Sequence, residues 1–377
     1  GEQVKKLSST SDLIIIASEY PPFPGGISSY AYNLAFEASL FRRVTVVAPI
    51  DAENESGRFK VEPCLKHHKL TPRGLFRALS VIAGLNKHAL VHAADIRAGV
   101  IGLCARVFLG RRYIVMTHGS DVAKFDRFSL SKLVAIAVYG MASKVLSNSD
   151  YTKEIYDRNF PCGARCVSIP LGVGEGWFSS ADERFENAVL SSIPEEAEIF
   201  CTVGRIEPRK GHMIAVEALS AYQRLNPQKK IVYVIGGLTI DAEYRSRIER
   251  EVGRLELDTR FTGPVSSDDL KRLYKRAIAQ LLCAISLPGK IEGFGLVLLE
   301  AAAQGCPSIV TNVGGIPEVV IDGKTGIIVQ EATASHVLDG LSRLRDMATA
   351  NDVGENCVRR ARSFTWSETA RRTYLEE

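Results

Sequence analysis

At 377 residues, 46% of them hydrophobic, the chain is too long for one core of ordinary size and long enough for two. Its net charge of +4 is uneven: up to Gly172 there are 22 Lys and Arg against 14 Asp and Glu, a net +8, and beyond it 25 against 29, a net −4. No block of five Lys or Arg occurs, which excludes a basic nucleic-acid arm, and no apolar run reaches the roughly 18 residues of a membrane span. Eight cysteines stand far apart, several inside apolar runs, and predict the reduced, buried thiols of a cytoplasmic protein. Cys162 and Cys166 are the one close pair and have no second Cys or His pair beside them, so no metal site is expected.

In chain order, Leu13 to Ser18 reads as a buried strand rather than a signal-peptide core. A Pro- and Gly-rich turn, Glu19 to Gly26, leads into a helix from Ile27 to about Leu40. Gly25-Gly26 fits neither G-x-G-x-x-G nor a Walker lysine loop, which disfavours dehydrogenase-type dinucleotide binding and P-loop chemistry; the turn either lines a cleft or only connects. Val44 to Ala48, Ala89 to His92, Tyr113 to Thr117 and Lys144 to Ser147 are further strand-length apolar runs, with helical segments near 74–87, 98–109 and 129–142. This alternation predicts a parallel sheet covered on both faces, where ligands bind beyond the carboxyl ends of the strands. His118, in Thr-His-Gly-Ser-Asp, falls on that rim, placed either to donate to a phosphate or sugar hydroxyl or to make a local backbone hydrogen bond. Arg73 to Leu79 offers Leu75, Phe76 and Leu79 on a basic amphipathic stretch, which either meets lipid or packs on its own domain.

From about Gly172 to Glu198 the pattern becomes polar and reads as a linker. Strands and helices then resume: Ile199 to Gly204, Ile231 to Gly236, Ala279 to Ile285, Pro307 to Thr311 and Gly326 to Val329. Two domains are expected, dividing at about Gly172. Gly204-Arg-Ile-Glu-Pro-Arg-Lys-Gly ends the first of these strands, and Arg205 with Lys210 offers a bidentate fork and a point charge suited to a diphosphate, or else a solvated basic turn. Glu292-Gly-Phe-Gly-Leu-Val-Leu-Leu-Glu300 sets two carboxylates around a glycine turn that opens a helix. Gly293 and Gly295 allow close backbone approach, and the N–H groups of Gly295, Leu296 and Val297 sit at the positive end of the helix dipole, where a phosphate fits. Glu292 and Glu300, the latter about one and a half turns in, reach hydroxyls flanking that phosphate. An ordinary βα turn with two solvated glutamates is the other reading.

Gly25-Gly26, His118-Gly119, Gly204-Arg205 with Lys210-Gly211, Glu292-Gly-Phe-Gly with Glu300-Ala-Ala-Ala, and Gly314-Gly-Ile-Pro-Glu with Gly323-Lys-Thr-Gly together resemble the family 4 retaining glycosyltransferases of the GT-B fold. The resemblance implies an α/β protein of two Rossmann-like parallel-sheet domains, 1–172 and 173–364, facing across a cleft, with a closing helix, 365–377, that returns to the first. Arg205 and Lys210 would grip the diphosphate of a nucleotide sugar, the N–H groups at Gly295, Leu296 and Val297 in the Gly293-Phe294-Gly295 turn would hold its distal phosphate, and Glu300 would accept from the ribose. Glu292 would bond the donor-sugar hydroxyls, His118 would approach from the other domain, Gly25 and Gly26 would leave room, and the base would rest near Gly263 to Val265.

The activity implied is metal-independent transfer of a hexose or N-acetylhexosamine, with retention, from a nucleotide-diphosphate sugar to a hydroxyl of a glycan or lipid-linked acceptor, in polysaccharide or glycolipid synthesis. A UDP-sugar is favoured over GDP-mannose. No cofactor and no nucleic-acid partner are expected, and peripheral contact at the inner membrane face falls to the basic first half. A nucleotide-sugar epimerase and a non-catalytic nucleotide-sugar-binding protein are the competing classes. The stretch before Glu292, Ser286-Leu-Pro-Gly-Lys-Ile, departs from the family's commonest Pro-Ser loop.

Overall fold

The computed structural model describes residues 12–53, 57–350 and 352–376, so the outer ends of the first and last expected segments lie outside the described residues. The chain forms two compact units, residues 1–172 with 365–377, and 173–364.

The first unit runs β1 (Leu13–Ile16), α1 (Gly26–Ala38), β2 (Val44–Pro49), β3 (Lys60–Leu65), α2 (Pro72–Ala83), β4 (Leu90–Ala93), α3 (Ile96–Leu109), β5 (Tyr113–Thr117), α4 (Ser120–Ala123), α5 (Leu130–Met141), β6 (Lys144–Ser147), α6 (Asp150–Asn159) and β7 (Cys166–Ser168). Its parallel sheet, seven-stranded among the described residues, has the order β3-β2-β1-β4-β5-β6-β7. β1 lies at the centre because Leu13, Ile14, Ile15 and Ile16 are apolar on both faces, and all four are fully buried. Helix starts follow local chemistry: Thr71, Asp95, Ser129 and Ser149 cap α2, α3, α5 and α6 through their side-chain oxygens.

The second unit runs α7 (Ala188–Ser191), β8 (Glu198–Val203), α8 (His212–Leu225), β9 (Ile231–Gly236), α9 (Ala242–Leu255), β10 (Thr259–Gly263), α10 (Ser267–Arg276), β11 (Ala279–Leu282), α11 (Leu296–Ala303), β12 (Ser308–Thr311), β13 (Gly326–Val329), α12 (Ala334–Ala350) and α13 (Val353–Arg362). Its sheet, six-stranded and parallel among the described residues, has the order β10-β9-β8-β11-β12-β13.

The polar stretch near 172–198, expected as a linker, is packed on the second unit. Leu190 and Ile193 are buried in the core of the second unit with Ile199, Val232 and Leu273, and Trp177 and Phe185 pack against the same cluster. Asp269 accepts from the N–H groups of Glu186 and Asn187 at 3.0 and 2.7 Å. Four spaced apolar side chains in a polar stretch are enough to fasten it down, because each buried one contributes about 1.5–3 kcal/mol.

The last helix, α14 (Trp366–Tyr374), belongs to the first unit and packs on α1. His92, fully buried, lies 3.0 Å from Tyr30 Oη and 2.6 Å from Tyr374 Oη. Burial holds that imidazole neutral, its pKa down at about 3. One tyrosine therefore donates to it and the other accepts.

Candidate active site

In the second unit the strand order reverses between β8 and β11, which opens a crevice at their carboxyl ends. The loops that follow these two strands build the site. The segment after β8 turns through Pro208–Lys210 to Gly211, which has φ +70° and whose added Cβ would stand 1.7 Å from the carbonyl oxygen of Cys283. Only glycine lets the two loops meet so closely. The contact ends β11 at Leu282, short of the expected Ile285: the backbone there turns to the other loop, and Ile285 N donates to Arg209 O at 3.0 Å.

Lys210 Nζ and Arg209 Nη1 both donate to one oxygen, Glu292 Oε2, at 2.7 and 2.6 Å. All three side chains are about a tenth exposed or less. Burial pushes the Glu292 carboxyl up, but the charges and hydrogen bonds of Lys210 and Arg209 outweigh it and hold the group below the ordinary carboxylate range. Burial pulls Lys210 down against the attraction of Glu292, with Arg209 and Arg205 acting in the same sense as burial. Arg205 itself is exposed and forms no ion pair among the described residues. The backbone of Glu292 is fixed as well, since its carbonyl accepts from Gly315 N at 2.9 Å while Gly314, at φ +57°, lies where a Cβ would be 2.0 Å from that oxygen.

Gly295, at φ +86°, opens α11, and the N–H groups of Gly295, Leu296 and Val297 make no backbone hydrogen bond to the preceding loop. The Val297 carbonyl accepts from Gln280 Nε2 at 3.1 Å, which ties the first turn of α11 to the middle of β11. Glu300 lies one turn further on, and burial raises its carboxyl to about 8. Phe294, expected at the ligand, turns its ring inward: it is 4% exposed and meets Phe364 edge-on at 6.0 Å. Its benzyl side chain belongs to the core, and only its backbone shares the turn. Val265 likewise packs its side chain on the core of its unit, just past the end of β10.

In the first unit, Gly25 caps α1 at φ 135°, and a Cβ on Gly26 would meet nothing within 4 Å. The half-buried His118 follows β5, and its Nε2–H donates to the carbonyl of Ala94, past the end of β4, at 2.7 Å. Its backbone N–H donates to Asp121, and Tyr30 packs edge-on against the ring at 5.3 Å. The local backbone bond foreseen as an alternative is thus present. It orients the imidazole and leaves Nδ1 as the ring atom for any further contact.

Over residues 24–175 the chain matches the family model described as Glycosyltransferase Family 4, and over residues 183–362 the one described as Glycosyl transferases group 1. The chain belongs to the family 4 glycosyltransferases. It is 27% identical over 356 residues to a GDP-mannose-dependent alpha-(1-6)-phosphatidylinositol monomannoside mannosyltransferase of Mycobacterium tuberculosis, covering 90% of this chain and 91% of that one. It is 30% identical over 246 residues to a D-inositol 3-phosphate glycosyltransferase of Actinosynnema mirum, covering 62% and 56%. A sucrose-phosphate synthase from Thermosynechococcus elongatus shares the fold, GT-B, at a TM-score of 0.76 and 23% identity, covering 97% of this chain and 98% of that one.

In this glycosyltransferase, two residues join Lys210 and Glu292 that sequence reasoning passed over. Arg209 bonds both Glu292 and Glu207, the latter through Nη2 at 2.8 Å. The signal was Glu-Pro-Arg-Lys in one tight turn: a buried turn cannot leave its three charges unpaired.

Proposed function

We propose that the protein transfers a hexosyl group, with retention and without a metal, from a nucleotide-diphosphate sugar to a hydroxyl of a glycan or lipid-linked acceptor. The observation that carries this reading is the buried Lys210–Glu292–Arg209 cluster beside the free N-terminus of α11 at the crevice of the second unit. A diphosphate placed there meets Lys210, Arg205 and the helix dipole, which together stabilise the charge that grows on it as the glycosidic bond breaks. The leaving phosphate then takes the acceptor's proton on the same face of the sugar. Glu292 holds the sugar hydroxyls and Glu300 the ribose.

The uridine preference rests on no residue of this chain, and the name of the mannosyltransferase relative favours GDP-mannose as the second reading. The test sets UDP-hexoses, UDP-N-acetylhexosamines and GDP-mannose side by side with lipid and glycan acceptors in excess EDTA. Transfer with retained anomeric configuration is expected. A new sugar nucleotide formed without acceptor would make it an epimerase, binding with neither transfer nor donor hydrolysis a binding protein, and loss of transfer restored by Mg²⁺ or Mn²⁺ would end the metal-free mechanism.

An anionic membrane surface as the place of work is supported by the first unit. Phe108, Phe128 and Leu130 are 74%, 76% and 82% exposed, and Leu133 and Val134 are exposed as well on α5, a helix whose one charge is Lys132. Residues 96–149 carry eight Lys and Arg against Asp121 and Asp126. The earlier stretch at Arg73 to Leu79 contributes less, since Leu75 and Leu79 are half-buried and Phe76 is the exposed apolar residue. No helix among the described residues is long and apolar enough to cross a membrane. Sedimentation with vesicles containing anionic lipid is expected to carry the protein down, and Phe128→Ser with Leu130→Ser to release it. Equal sedimentation of the variant would remove α5 as the contact.

A further inference from the structure

We propose that Arg209 is a positioning residue: it holds Glu292 by the oxygen that Lys210 also uses, so that Lys210 can pass to the donor's diphosphate while Glu292 stays in place. The inference rests on the site reading above and adds a residue to it.

The two cations on Glu292 Oε2 are held very differently. The guanidinium of Arg209 is anchored on three sides, with Nη1 to Glu292 Oε2 at 2.6 Å and to the Ile291 carbonyl at 3.2 Å, and Nε and Nη2 to Glu207 Oε1 at 3.2 and 2.8 Å. Its own carbonyl accepts from Ile285 N. The planar fork therefore bridges a carboxylate on its own turn to the backbone and side chain of the facing loop, and moving it would break four hydrogen bonds. The Lys210 ammonium carries three donors on a flexible stem, and its hydrogen-bond partner among the described residues is Glu292 Oε2. One cation is built in and the other is free to leave.

The charge balance shows why both are present. Glu207 and Glu292 carry two negative charges, Arg209 and Lys210 two positive ones. When a diphosphate draws Lys210 away, a site with Lys210 alone would strand Glu292 as a buried carboxylate without a cation, and such a group takes up a proton. A protonated Glu292 loses half its capacity to accept from sugar hydroxyls. With Arg209 at 2.6 Å the carboxylate keeps a cation, and Oε1, which takes no hydrogen bond among the described residues, remains open to the donor sugar. The charged groups that act on Glu292 are Lys210 and Arg209, both from the loop after β8.

Steady-state kinetics of the full chain across pH 5.5–8.5 test this, with Arg209→Met, Arg209→Lys and, as references, Lys210→Ala and Glu292→Gln. Arg209→Met is expected to lower kcat roughly tenfold at neutral pH with a smaller change in donor KM, and to introduce an acid limb, so that activity recovers as pH rises. Arg209→Lys keeps the charge but loses the fork, so it should lack the acid limb and lose about threefold in kcat. Should Arg209→Met fail to fold, the Lys variant carries the test by itself. A wild-type kcat in Arg209→Met, or equal losses in both variants with no change in pH profile, overturns the positioning role. If Lys210→Ala and Glu292→Gln turn over like wild type, the site reading itself has failed, and the inference falls with it.

Discussion

Replacing Lys210 by alanine is expected to cut kcat by on the order of a hundredfold or more and to weaken nucleotide binding much less. The ammonium is buried against Glu292, in the loop that leads into α11, so little water shares the stabilisation of charge developing on a leaving diphosphate. Burial and the neighbouring guanidinium groups lower its pKa, and a diphosphate beside it would act in the opposite sense, favouring the charged ammonium. The fold should tolerate the change. Breaking a buried ion pair costs roughly 3–5 kcal/mol when a charge is left alone, but Glu292 keeps Arg209 at 2.6 Å, so the loss in thermal unfolding should be well below that range. Equal kcat in variant and wild type, with both folded, would remove Lys210 from the chemistry.

Glu300 gives the second large effect, on binding. Burial raises its carboxyl to about 8 in the free protein, so below that pH the group is mostly protonated. If it accepts from two ribose hydroxyls it must do so as the carboxylate, and binding then releases a proton. Affinity for an intact nucleotide sugar should accordingly rise with pH by nearly tenfold per unit from about pH 6, and level off above about 8. Glu292, held below the ordinary range, is ionised throughout this window and adds no slope. Calorimetry at pH 6, 7 and 8 in buffers of different ionisation enthalpy reads both affinity and proton release, and Glu300→Gln should abolish the dependence. A flat affinity in the native protein, or an unchanged slope in the variant, would take Glu300 away from the ribose.

The amino-acid sequence by itself determined the α/β class, the two sheets and the positions of their inner strands. Those strands are buried on both faces, so runs such as Tyr113–Thr117 and Ile231–Gly236 are almost wholly apolar and stand out from their surroundings. It also singled out Lys210, Glu292 and the glycine turn of α11 as candidates, because charged residues next to glycines at a strand end suit an anion. The strands that sequence reading missed are all at sheet edges: β3 holds Pro63 and two charged residues, β7 is three residues long, and no residue of β10 is fully buried. An edge strand needs one partner and one half-covered face, so its composition approaches that of a loop.

Only the tertiary structure decided what each polar group faces. The 173–197 segment reads as a linker until Leu190 and Ile193 are seen in a core supplied by strands that follow it in the chain. Phe294 reads as part of a ligand loop until Phe364 is found against its ring. Arg209 and Arg205 are indistinguishable as letters in one basic turn, yet the first is buried between two carboxylates and the second is exposed, because Gly211 folds that turn onto the end of β11 and, of the two arginines, Arg209 is the one that reaches across to Glu292.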